Sequence, residues 1–376
     1  MKEPKLLFLD LELPYLLKDA MHPVGGACVR QLALTKGIVS LDYKVGILTW
    51  KGANEFVARE FEFELIESFT LSKGNQKLRW IYHIYPKLFN AVKSYQPDIV
   101  FQKCSGLYTG VMALIAKQLG IPFVYLAAND IDADGRYKDR LRYIDIKLYE
   151  YGLKNAEQLI VQNSYQKEAF LKNWSDKKIA VIHNPFYYEG ALPEIKPINE
   201  RKYVAWIGLF QNQKNLPALL NIIKQTPDIE FMIAGTYTST CPENIKEVVE
   251  EISHCSNVNI VGYIKRKEII PLLTNALALL NTSHYEGFSN TFLESFAAGT
   301  PIITTRIDPD NIITDNEIGI VTQNYNEVPE ILNEMKHKSG YNEMAKKCRQ
   351  YVLEKHNIIT IAETFMESIT DLLDKK

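Results

Sequence analysis

Residues 276–305 read ALALLNTSHYEGFSNTFLESFAAGTPIITT. Leu277–Asn281 is an apolar run of strand length, Thr282–Ser289 a polar loop holding Gly287, and Asn290–Ala298 a run with helical spacing of apolar residues. Gly299 stops that helix, since glycine tolerates the left-handed position after a helix end, and Pro301 opens the return into a strand at Ile302–Thr305. Strand, loop, helix and parallel return make the βαβ unit of an open α/β sheet. Ligands of such sheets bind beyond the carboxyl ends of the strands. There the helix start offers amide N–H groups and the positive end of its dipole, which favour a phosphate or diphosphate.

Gly287 lets backbone approach such a ligand closely, having no Cβ, and Asn290 and Thr291 add side-chain donors at the first turn. Two carboxylates flank the turn: Glu286 in the loop and Glu294 inside the helix, eight residues apart. That separation rules out a close pair on one helix face. They read as separate groups serving two ends of one extended ligand, a sugar and a ribose, both rich in hydroxyls. For Glu294 a plain complement to the helix dipole is an equal alternative.

Outward from this unit the chain keeps alternating short apolar runs with longer amphipathic ones, the pattern of a parallel sheet with helical crossovers. Strands are expected at Lys5–Leu11, Lys44–Thr49, Asp98–Gln102, Pro122–Ala127, Gln158–Gln162 and Ile179–Ile182. A charged helix is expected over Arg136–Asn155, and an aromatic one over Trp80–Ser94. The proline-rich stretch His183–Lys202 reads as a linker. The pattern then restarts, with strands at Tyr203–Ile207, Glu230–Ala234, Val258–Val261, Leu277–Asn281 and Ile302–Thr305. Three helical segments follow, Asn326–Lys338, Asn342–Lys355 and Ile358–Leu373. The expected organisation is therefore a first domain over 1–190, a second over 191–355, and a terminal helix over 356–376 that crosses back to the first.

Composition narrows the class. A chain of 376 residues, 46% apolar and 23% charged, has material for two cores. A net charge of −2 gives no nucleic-acid signal. Residues 1–190 hold 25 Lys/Arg against 21 Asp/Glu, and the remainder 18 against 24. The mildly basic first half suits an anionic membrane surface or a phosphorylated acceptor, and equally suits chance variation of a solvated surface. Five cysteines without CxxC spacing, and seven scattered histidines, argue against disulfides or a protein-held metal and for a reducing cytoplasm. Asp10 and Glu12 interrupt any signal-peptide apolar region, and no run approaches the roughly 20 residues of a membrane span. Any membrane contact is expected to be peripheral.

The 286–301 segment resembles the Glu-x7-Glu signature of glycosyltransferase family 4, retaining enzymes of GT-B architecture: Gly287-Phe288, Leu293-Glu294 and Ala298-Gly299-Thr300-Pro301 fit its pattern. The resemblance implies an α/β fold of two Rossmann-like domains facing across a cleft, with the donor on the second. It places Glu286 beside the donor sugar, Glu294 on the ribose, and Asn290 and Thr291 on the diphosphate, with Ser283, Gly287, Phe288 and Ser289 lining the same loop. Val204–Lys214 (VAWIGLFQNQK) resembles the strand and loop that open the donor domain. Gly208 and Lys214 match, while Leu209 stands where the family writes Arg. Val261, Gly262 and Tyr263 are expected near the base. Gly25-Gly26 resembles the family's glycine loop on the acceptor side, and Asn129 and Asp130 fall where relatives carry a His.

The same resemblance implies a hexosyl transfer from a nucleoside-diphosphate sugar to a glycan or lipid-linked acceptor, with retention and without a metal cofactor. The setting implied is cell-surface polysaccharide synthesis in the cytoplasm, at the inner face of the membrane if peripheral. Glu286 and Lys214 are the expected catalytic groups. Two rival readings keep the fold: a sugar-nucleotide 2-epimerase-like enzyme, for which His284 is the candidate acid or base, and a non-catalytic nucleotide-sugar-binding partner subunit. The aromatic, basic stretch Leu78–Lys93 is either a packed helix or a seat for a lipid-linked acceptor.

Overall fold

Leu6, Leu7 and Phe8 are consecutive and all buried. A strand can bury successive residues only when both faces of its sheet are covered, as in a parallel sheet flanked by helices. The computed structural model describes residues 3–20, 22–71, 79–238 and 241–374; Leu78, at the head of the aromatic basic stretch, lies outside them. The chain forms two compact units, Met1–Pro185 with Ile358–Lys376, and Phe186–Asn357.

The first unit holds strands β1 (Lys5–Leu9), β2 (Lys44–Thr49), β3 (Glu64–Glu67), β4 (Ile99–Lys103), β5 (Phe123–Leu126), β6 (Gln158–Val161) and β7 (Lys178–Val181). Their order is β3-β2-β1-β4-β5-β6-β7 and all neighbours are parallel. Order reverses between β1 and β4, which makes their carboxyl ends the switch point where such sheets bind ligands. On one face the terminal helix Ile358–Leu373 buries Ile361, Phe365 and Ile369 beside Phe8 and Phe101. The Phe101 and Phe365 rings lie 5.4 Å apart. Helix Gly26–Val39 packs on the same terminal helix, and a Cβ on Gly37 would fall 2.6 Å from the Ile358 carbonyl. On the other face, helices Leu107–Leu119 and Tyr143–Asn155 meet backbone to backbone. Cβ atoms on Gly110 and Gly152 would lie 2.4 and 2.7 Å from backbone of the opposite helix.

The second unit holds β8 (Tyr203–Phe210), β9 (Phe231–Tyr237), β10 (Val258–Gly262), β11 (Ala276–Asn281), β12 (Ile302–Thr305) and β13 (Gly319–Thr322). The order is β10-β9-β8-β11-β12-β13, again all parallel. Helix Asn290–Ala297 buries Phe292, Leu293 and Phe296 and packs against helix Tyr341–Lys355.

The sequence reading misses β3 and β13, two outermost four-residue strands without alternation, whose pairing with β2 and β12 defines them. The Arg136–Asn155 helix is in fact a 3₁₀ turn, Arg136–Asp139, and a separate helix, Tyr143–Asn155. Arg142 is extended at the break. The aromatic stretch opens with a π-turn, Trp80–Ile84, before α-helix Tyr85–Tyr95. The segment at 326–338 narrows to helix Val328–Met335 behind a 3₁₀ turn.

Candidate active site

β8 and β11 are neighbours, so the segments leaving their carboxyl ends lie side by side although they are far apart in sequence. After β8 the chain makes a 3₁₀ turn, Asn212–Lys214, and passes Asn215 in the left-handed region at φ 49°. After β11 comes the Thr282–Ser289 loop. The two are stitched together. Thr282 Oγ1 donates to the Lys214 carbonyl at 2.7 Å and accepts from Trp206 Nε1 at 3.1 Å. His284 N donates to the Gln213 carbonyl at 2.8 Å, and Gln213 Nε2 to the Tyr285 carbonyl at 2.9 Å. Tyr325, a residue the sequence reading passes over, donates its hydroxyl to the Thr282 carbonyl at 3.1 Å.

This stitching seats Lys214 Nζ 2.5 Å from Glu286 Oε1, with side chains 15% and 10% exposed. Ser283 Oγ donates to the same oxygen at 2.7 Å and is itself held by Asn281 Nδ2 at 3.3 Å. The Lys214 stem lies over Gly208, where an added Cβ would approach its Cε to 3.2 Å. Gly287, Phe288 and Ser289 are buried, and the Phe288 ring rests 5.1 Å from the ring of buried His356. Ser289 occupies the N-cap of helix Asn290–Ala297 yet makes no side-chain capping bond; its hydroxyl pairs with Thr291 Oγ1 at 2.7 Å. A helix start not closed by its own cap side chain suits an incoming anion.

Glu294, the fifth residue of that helix, is 3% exposed and paired to Arg266 Nη1 at 2.9 Å. Burial pushes its carboxyl up, against the lowering influence of Arg266. Arg266 opens helix Arg266–Thr274 and has no motif around it to mark it in the sequence. Val261 lies near the end of β10 with 38% of its surface exposed, followed by Gly262 in the left-handed region and half-buried Tyr263. The second unit therefore brings Gly208, Lys214, Ser283, Glu286 and the Asn290 helix start together, with Glu294 and its arginine farther along the helix.

The acceptor-side candidates lie in the first unit. Gly25 is the N-cap of helix Gly26–Val39 and donates its N–H to Glu12 Oε2 at 3.1 Å. Asn129 caps the short helix Asp130–Ala133 through the Ile131 amide, and Asp132 accepts from the Ala128 and Asn129 amides at 3.0 and 3.1 Å. Asp130 accepts from Gln166 Nε2 at 3.0 Å and Asn163 Nδ2 at 3.3 Å. Burial nevertheless pushes its carboxyl up to about 6. Asn129, Asp130 and Asp132 thus all have structural partners. Two charged features escape the sequence reading. Asp10, 2% exposed, pairs with Lys103 at the ends of β1 and β4. Arg30, also buried, donates to the Ala127 and Ile182 carbonyls at 2.8 and 3.2 Å, and burial lowers it to about 10. Among the described residues no cluster of three or more His, Cys, Asp or Glu could hold a metal ion, and no helix is long and apolar enough to cross a membrane.

The profile of the family "Glycosyl transferases group 1" matches residues 191–355, and that of "Glycosyltransferase Family 4" matches residues 24–187. The chain belongs to the group 1, family 4 type of glycosyltransferases. Its fold is GT-B: it superimposes on sucrose-phosphate synthase from Thermosynechococcus elongatus with a TM-score of 0.78 at 17% identity, covering 100% of both chains. Among characterised relatives, poly(glycerol-phosphate) alpha-glucosyltransferase of Bacillus subtilis is 26% identical over 68% of this chain and 37% of its own. The chain thus spans little more than a third of that relative. The Escherichia coli UDP-Gal:alpha-D-GlcNAc-diphosphoundecaprenol alpha-1,3-galactosyltransferase is 21% identical over 77% of this chain and 79% of its own.

Proposed function

We propose that the chain is a retaining hexosyltransferase that moves a sugar from a nucleoside-diphosphate sugar to a hydroxyl of a glycan or lipid-linked acceptor. The observation that carries this reading is the Lys214–Glu286–Ser283 cluster, where the loop that runs into the Asn290 helix meets the turn after β8. A cation and a helix start answer the charge of a diphosphate, and a carboxylate answers the hydroxyls of the sugar attached to it. UDP is the nucleotide that the galactosyltransferase relative's name carries.

In the proposed reaction the acceptor oxygen forms a bond to the anomeric carbon on the face from which the diphosphate leaves. The carbon–oxygen bond to the diphosphate breaks, and the acceptor proton passes to that leaving oxygen. Lys214 and the helix start stabilise the charge that develops there, and Glu286 orients the sugar. The two named relatives act on a glycerol-phosphate polymer and a lipid diphosphate, which supports a cell-surface polysaccharide pathway served from the cytoplasmic face of the membrane. With the charge met by protein groups, no metal cofactor is needed. The test is transfer from UDP-sugars to lipid-linked glycans by wild type and Glu286→Gln, each with and without EDTA. Product with the α configuration retained, lost in the variant and indifferent to chelator, supports the reading; full activity of Glu286→Gln removes it.

A further inference from the structure

The first unit holds a cavity of about 490 Å³ that the donor chemistry does not use. It opens at the carboxyl end of β4, beside the β1/β4 switch point, and its floor includes Lys103, Ser105 and Gly106, where the chain enters helix Leu107–Leu119. Three cations line it, Arg79, Lys103 and Arg142, against one lining carboxylate, Asp145. Lys103 is matched by Asp10 and Arg142 by Asp145, the latter at 2.8 Å. Arg79 is different. Its Nη2 donates to the Thr70 carbonyl, its guanidinium lies 5.9 Å from the centre of the Phe69 ring, and its Nε is buried without a partner. Among the described residues no carboxylate pairs with it.

The rest of the lining is largely apolar: Trp80, Ile84, Leu107, Tyr108, Leu141 and Ile144. The chain on both sides continues this character outward. Next to Trp80, Ile81 and Tyr82 are 52% and 53% exposed, and next to Arg142, Tyr143 and Ile144 are 75% and 44% exposed. Large apolar side chains concentrated on the segments flanking one opening are unusual for a surface that meets only water. Cations set in a largely apolar lining, with exposed aromatic and aliphatic side chains on the flanking segments, fit one kind of molecule, an anionic head on an apolar chain.

We propose that this cavity takes the phosphate-bearing, lipid-chain end of the acceptor, with Arg79 as the group that pairs with the phosphate and the Trp80–Tyr82 and Tyr143–Ile144 segments seating the first part of the chain. The assignment rests on the proposed transfer to a lipid-linked acceptor, which it makes specific to a lipid phosphate or diphosphate. A glycan without phosphate would leave Arg79 without a counter-ion, and free inorganic phosphate would leave the apolar rim uncovered.

The experiment is equilibrium binding to the full chain of dodecyl phosphate below its micelle concentration, of inorganic phosphate, and of neutral dodecyl maltoside. Wild type and Arg79→Ala are compared, with UDP binding followed in parallel. The expected result is saturable binding of dodecyl phosphate at least tenfold tighter than either control, weakened roughly tenfold or more by Arg79→Ala, the loss typical of a charged hydrogen bond, with UDP affinity unchanged. Retention of binding by Arg79→Lys at an intermediate level would further support the ion pair. Equal affinity for dodecyl maltoside overturns the phosphate role, and equal affinity for inorganic phosphate overturns the chain role. Wild type that transfers sugar but ignores dodecyl phosphate overturns the cavity assignment alone. Wild type that binds dodecyl phosphate but neither binds UDP nor transfers sugar overturns the proposed function and leaves the cavity.

Discussion

Lys214 Nζ lies 2.5 Å from Glu286 Oε1, across 72 residues of sequence, in a site where both side chains are largely buried. The cation that would meet a diphosphate is therefore held by the carboxylate that would meet the sugar. A bound donor has to share or displace that contact, so the two residues are expected to affect UDP binding in different directions while both support turnover.

Lys214→Ala is expected to weaken UDP affinity and to lower transfer, since removal of one preorganised charge-stabilising group typically costs about 2.7–4 kcal/mol of barrier. Glu286→Gln releases the lysine, so UDP affinity is expected to hold or tighten while kcat falls roughly 10²–10³-fold. Calorimetry with UDP and initial-rate kinetics with the sugar donor separate the two. Parallel loss of affinity in both variants would show that the pair is only scaffold.

Arg266→Ala leaves the Glu294 carboxylate buried without its counter-charge. Breaking a fully buried pair costs about 3–5 kcal/mol, and with Arg266 28% exposed a loss of about 2–3 kcal/mol is expected near pH 7.5. The native carboxyl already titrates above its ordinary value. Its favourable contribution is therefore complete below the unfolded pKa of about 4.3 and fades as pH rises through the native value. Removing Arg266 raises that value further, so the loss should shrink at pH 5. Urea unfolding at the two pH values measures it, and a loss independent of pH would contradict the pairing.

Asp130 offers a second pH readout. Its native pKa of about 6 lies above the ordinary carboxylate value because burial disfavours the charge. Stability from this group is present below about pH 3.9 and lost as pH rises through about 6. Asp130→Asn keeps an acceptor for Asn163 and Gln166 without the charge. It is expected to exceed wild type in stability by roughly 1–2 kcal/mol at pH 7.5, allowing for partial exposure, and to lose about half of that advantage by pH 5 and most of it by about pH 4. Superimposable pH profiles for the two proteins would refute the assignment.

Phe365→Ala opens a hole between the terminal helix and the β1/β4 aromatics, Phe8 and Phe101. Phe-to-Ala changes in a core cost about 3–5 kcal/mol. The chain folds as two compact units, so denaturant unfolding followed by hydrogen exchange should show the loss in residues of the first unit and not in β8–β13. An equal loss in both units would mean that the terminal helix stabilises the whole chain.

Contiguous chemistry was legible in the sequence. The strand–loop–helix–glycine–strand unit at 276–305 is spelled out by apolar spacing, one glycine stop and one proline, interactions that act within a dozen residues. The alternation of runs likewise determined two parallel α/β arrays, and the Glu-x7-Glu pattern pointed to the family. Long-range partners belonged to the tertiary structure. Only the adjacency of β8 and β11 sets Lys214 on Glu286, and only the packing of helix Arg266–Thr274 against the Asn290 helix gives Glu294 its arginine. Strands β3 and β13 exist because an inner strand offers them a hydrogen-bonding edge. Strand order and helix contacts are properties of the whole core, decided by which apolar faces can be buried together, and no local window of residues encodes them.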